Sequence, residues 1–145
     1  MREPSLSTAL QLKAKNTGEK LMIGSLMMCV GTLILLVGMV AGIVMGIQQD
    51  FTLAPAHAHL NLIGGVLLFV FGLYYRLMPA AGSTGLAKLQ GTLHIAGAIV
   101  FPAGIALVLL KGTSFIAAPI VGSLIVVAAM ALFAVIVFRS ARVKF

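Results

Sequence analysis

Acidic side chains are almost missing: the chain has three Asp or Glu, and none lies in its apolar runs. A carboxylate-lined ion or proton path, or a Ser-His-Asp triad inside the membrane, therefore has no parts in these runs. There is no tryptophan, and the single cysteine, Cys29, excludes an internal disulfide. A lone Cys in an apolar run behaves as a small hydrophobe. Charged residues make up 9% of the chain, against about 25% in a soluble domain, so a soluble globular protein is excluded. Disorder is excluded too, because it requires few apolar residues and high charge. No Gly-rich phosphate loop of the Walker type occurs.

What is abundant is apolar: 61% of 145 residues, with a mean hydropathy of +1.15. A membrane span needs roughly 20 apolar residues. Four runs meet that length, at 21–47, 56–78, 86–110 and 114–138. Barrel strands are about ten residues long and alternate in polarity; these runs are longer and apolar all round. Lipid leaves the backbone no outside partner, which selects helices. The expected fold class is all-α, a polytopic membrane protein with a four-transmembrane-helix bundle. Residues 1–20 form a basic segment before it, and 139–145 a basic tail after it. The first run is too long for the 7–15-residue core of a cleaved signal peptide, so it reads as an anchor that stays.

The net charge of +7 lies at the ends of the runs. Nine of the ten Lys and Arg fall on one side of a four-span topology, Lys111 being the exception. Positive charge marks the cytoplasmic side, so both termini are expected in the cytoplasm, in a bacterial inner membrane. The basic ends suit anionic lipid; with no nucleic-acid module motif, no nucleic-acid partner is expected. Gly38, Gly42 and Gly46 form a GxxxG ridge on the first run, continued by Gly24 and Gly31. Such a ridge brings helix backbones close. It serves packing within the chain, a subunit interface, or a flat face for a planar ligand. Pro102 and Pro119 sit within the third and fourth runs, where kinks are expected.

The chemistry rests on three histidines, His57, His59 and His94. Ionisable groups within spans are costly and usually functional, and imidazole binds Fe, Cu and Zn. Residues two apart on a helix point about 200° from each other, so His57 and His59 face different ways. Asn61 follows them into the membrane.

His59-Leu-Asn61-Leu, followed by Phe71-Gly-Leu-Tyr74-Tyr75-Arg-Leu-Met-Pro79, resembles the second helix of the catalytic subunit of heme–copper oxidases, especially the nitric oxide reductase branch. The likeness covers about 25 of 145 residues. In that family the motif histidine is an axial ligand of a low-spin heme b, and by position this role carries over to His59. The departures are large. The family subunit is several times longer, and the helices that carry its copper ligands have no counterpart here. The Trp common after the opening motif is replaced near Gly64 and Gly65. The resemblance therefore implies heme b binding, with electron transfer or small-gas and redox chemistry. It implies no reduction of oxygen or nitric oxide at a binuclear centre, and whether the chain is an oxidoreductase component is left open.

The expected cofactor set is His59, with His57, Asn61, Met45, Gly42, Gly64 and Gly65 around it. His94 fits less well. Counting about 1.5 Å per residue from the turn at Pro79 puts it roughly 18 Å from the depth of His59, which favours a packing role. A second axial ligand is open between Met45, His57 and His59 of another subunit in a symmetric homo-oligomer. Expected partners are the lipid bilayer, further copies of the chain, and a redox protein or quinol. Two rival readings remain: a heme-free copper or zinc protein using His57, His59 and Met45, and a cofactor-free structural or assembly subunit. Tyr74, Tyr75 and Arg76 read as an aromatic belt with a basic anchor.

Overall fold

The structure is a computed structural model and describes residues 23–142. The basic segment expected at 1–20 and residues 143–145 lie outside the described residues. All regular elements among the described residues are helical. Helix α1 is Ile23–Gln48. Helix α2 is Ala54–Leu77, α3 is the single turn Pro79–Gly82, α4 is Gly85–Lys111 and α5 is Ala117–Arg142. Four of these, α1, α2, α4 and the segment ending in α5, are long and apolar enough to cross a membrane. The described residues are thus all-helical, and by the length and apolarity of these helices the chain is a multi-pass membrane protein. Large apolar side chains such as Leu33, Val37, Leu124 and Val127 are exposed on its surface, as lipid contact requires.

Helix ends follow local chemistry. Thr84 caps α4 by accepting from the Ala87 amide at 3.1 Å, and Gly112 ends it at φ 95°. Arg139 and Arg142 sit in the last turn of α5, where cations complement the exposed carbonyls; the expected tail is therefore helical to Arg142. Pro119 does not interrupt α5. It lies in the first turn, where its missing N–H removes no bond. Pro102 is inside α4 and buried.

Helix α1 packs along α2, and α4 along α5, with α2 and α4 joining the two pairs. Glycine sets the first contact. A Cβ on Gly24 would lie 2.7 Å from Gly72 O, and one on Gly72 would lie 2.6 Å from Gly24 O. The ridge on α1 thus packs against α2 within the chain; Gly46 alone has nothing within 4 Å. At the other pair, a Cβ on Gly122 would lie 2.5 Å from Phe101 Cα. The core lies between α1, α2 and α4, with Met27, Leu68 and Tyr75 fully buried, and α5 adds Ile136 and Phe133 to it.

Helix α2 is not a uniform α-helix. Ala54–His59 is α-helical, Leu60–Leu67 is a π-helix, and Leu68–Leu77 returns to α. The wider turns lie where Asn61, Gly64 and Gly65 stand. Such segments are rare and often accompany functional sites.

Candidate functional site

An apolar cleft of ≈ 520 Å³ opens at the Asp50 end of the bundle. Its walls come from α1 (Ala41, Val44, Met45), α2 (Ala56, His57, Leu60) and α4 (Ile99, Ala103). Its volume is that of a cofactor or small-molecule site, and its few polar groups among apolar walls are typical of one. Those groups are His57, Gln48 and Asp50.

His57 reaches the cleft because α2 begins with Pro55 in its first turn and because α1 has no side chain in the way. A Cβ on Gly42 would lie 3.2 Å from His57 Cε1. The Asn61 amide nitrogen is 3.0 Å from His57 O, and 3.3 and 3.2 Å from its Nδ1 and Nε2. Nearly equal distances to both ring nitrogens place the amide over the ring face. The in-plane lone pairs, where a metal or a proton donor binds, are not used by it. Asn61 in turn occupies the space left by Gly38, where a Cβ would overlap its amide. Two glycines of the ridge therefore seat one imidazole and its companion amide.

His59 faces the other way, as the helical angle demands. Its ring meets Phe101 of α4 edge-on at 4.9 Å. Its Nδ1 lies 2.7 Å from Pro55 O, so it donates from that nitrogen. It is not on the cleft wall. Gly64 and Gly65 are also away from the cleft: Gly64 faces Ile34 and Ala98 O, and Gly65 faces Leu35. The structure thus gathers Gly42, Met45, His57 and Asn61 from the expected set, and separates them from His59, Gly64 and Gly65. Among the described residues no three of His, Cys, Asp and Glu come together as a metal cluster.

His94 is fully buried between α2 and α4. Its Nε2 donates to Ile63 O at 3.1 Å, and its ring meets Phe71 edge-on at 5.0 Å. Ile63 is one turn from His59, so the expected 18 Å gap in depth is wrong. The reason is α3. A Cβ on Gly82 would lie 2.8 Å from Tyr75 O, so the chain has already climbed back to the level of Tyr75 before α4 starts. Counting twelve residues up from Tyr75 and from Gly82 reaches Ile63 and His94 together. His94 is thus packed against α2 with one ring nitrogen bound to backbone.

Tyr75 is also not where an aromatic belt would put it. It is fully buried, and its hydroxyl donates to Gln90 Oε1 at 2.9 Å. Arg76 remains outside and donates to Ser25 Oγ at 3.1 Å. Sequence reasoning passed over Gln90 and Asp50. Gln90 had a visible signal, being a polar residue one turn from His94 within a largely apolar run. Asp50 is fixed by Thr52, whose amide donates to Asp50 Oδ1 at 2.9 Å. The hydrogen bonds from Thr52 hold the Asp50 carboxyl below its ordinary pKa of 3.8, so the cleft mouth carries a negative charge at neutral pH. No protein-family model, curated protein or solved structure matches the chain.

Proposed function

We propose that this chain is a small membrane b-type cytochrome, resembling part of a heme–copper oxidase subunit, and that it holds heme b in the cleft at the Asp50 end. One observation carries the reading: a cofactor-sized apolar cleft lined by one imidazole, His57, and one thioether, Met45. The residues fit the group in volume, in apolarity and in ligand type. His57 is the proposed axial ligand, in place of His59. Met45 borders the same cleft and offers the thioether of a His/Met pair. Asn61 fixes the ring by bonding to the backbone beneath it, and Gly38 and Gly42 leave both side chains room. Bound heme supplies one-electron redox chemistry or gas binding, while the chain supplies ligand, orientation and a water-poor wall. We place both termini in the cytoplasm of a bacterial inner membrane, on the charge asymmetry of the loops, with further copies of the chain and a redox protein or quinol as partners.

A second reading has its own observation. Asp50 and Gln48 border the cleft beside His57 and Met45. An ionised carboxylate there favours a cation and disfavours heme propionates nearby, which suits a heme-free copper or zinc site.

The full chain, purified in detergent from heme-replete membranes, separates these. The expected result is a sharp Soret and alpha band on dithionite reduction, lost in His57→Ala and largely kept in His59→Ala and His94→Ala. Heme kept in His57→Ala but lost in His59→Ala would overturn the ligand assignment. A featureless spectrum with bound copper or zinc would establish the second reading, and one with neither would leave a structural subunit.

A further inference from the structure

Away from the cleft, α4 presents two polar side chains to the bundle interior, Gln90 and His94, one turn apart and both fully buried. Each has one satisfied end. Gln90 Oε1 accepts from the Tyr75 hydroxyl at 2.9 Å. His94 Nε2 donates to Ile63 O at 3.1 Å. Each also has one end with no protein partner: Gln90 Nε2 and His94 Nδ1.

These two ends are complementary. The amide nitrogen is a donor only, and the neutral imidazole that donates from Nε2 carries a bare lone pair on Nδ1. Leaving both unmade inside hydrocarbon forfeits hydrogen bonds that each group makes in water. Residues four apart on a helix lie on one face, so the donor and the acceptor stand on neighbouring turns of the same face of α4, where one small molecule with both a donor and an acceptor can serve them. We propose that Gln90 and His94 form the binding site of a single internal water molecule. It accepts from Gln90 Nε2 and donates to His94 Nδ1, within the two to four bonds usual for buried water.

The water joins separate contacts into one chain. Tyr75 Oη donates to Gln90, Gln90 to water, water to His94, and His94 to Ile63 O. All donors point the same way, toward the π segment of α2. The site thus holds His94 in one tautomer and ties α4 to the part of α2 that follows the cleft residues. It does not depend on what the cleft binds.

The test uses the full chain in lipid bilayers, with 15N-labelled histidine and glutamine and solid-state NMR. The expected spectrum shows His94 Nδ1 at the shift of a hydrogen-bonded acceptor, with magnetisation transfer from water to that ring. In Gln90→Met the water transfer is lost while the Nε2–H bond to Ile63 stays. A free, unbonded Nδ1 without water transfer in the unsubstituted chain overturns the proposal, whatever the variant does. So does a direct Gln90 Nε2–His94 Nδ1 bond seen as through-bond coupling.

Discussion

His57 and His59 are two residues apart and meet entirely different surroundings. The opposition of their directions was readable from helical geometry alone. Which of them faces a cleft was not, because that depends on Gly42 and on the docking of α1. Asn61 was singled out on its resemblance to a motif that pairs it with His59, yet its amide lies against His57. Tyr75 looked like a membrane-surface aromatic because its partner, Gln90, is fifteen residues away in the chain. Asp50 belongs to this scale as well. Its folded-state pKa is lowered, so the turn it makes with Thr52 is fully stabilised above 3.8 and loosens as pH falls through the lower folded value. Following the Thr52 amide proton shift by NMR against pH should give a midpoint below 3.8; a midpoint at or above that value would contradict the Asp50–Thr52 bond.

Four apolar helices could be drawn from the runs with their ends within a few residues, because lipid imposes a minimum length and forbids bare backbone. Two features were hidden. The π segment leaves no mark in hydropathy, and the fold-back of α3 lies in a stretch that reads as loop. Together they decide which residues of α2 and α4 share a level. The ridge on α1 was readable as a packing device, and the structure grades its members. Gly38→Ala places a methyl group in the space of the Asn61 amide, which must swing away and release His57 O. Overpacking of this kind costs about 1–3 kcal/mol. Gly46→Ala meets nothing and should change stability by less than about 0.5 kcal/mol. Reversible unfolding of both variants in detergent checks the contrast, and equal effects would refute it.

For the whole molecule, orientation rests on charge rather than on packing. Ser83 follows α3 at the Arg76 end, and Ser114 lies in the Thr113–Phe115 turn at the opposite end. In a Cys29→Ala background, Ser83→Cys should react with an impermeant maleimide only in inside-out vesicles, and Ser114→Cys only in intact spheroplasts. The reverse pattern would invert the proposed topology. The cleft opens at the Ser114 side, so its contents would be reached from outside the cytoplasm. The Tyr75–Gln90 contact lies toward the other side; α2 and α4 run through both regions, and on α2 the meeting point is the segment Leu60–Leu67.

That meeting point has a wider coil than the helix on either side. Each α-helical residue advances about 100°, so the segment Leu60–Leu67 acts as slack in the winding. Deleting Leu62, which lies on the outside, would draw the coil to ordinary pitch, the tighter winding taking up the lost residue. His57 and Asn61 would stay near the hollows at Gly42 and Gly38. The same deletion in the regular stretch Leu68–Leu77 has no slack to draw on and would turn His57 about 100° away from α1.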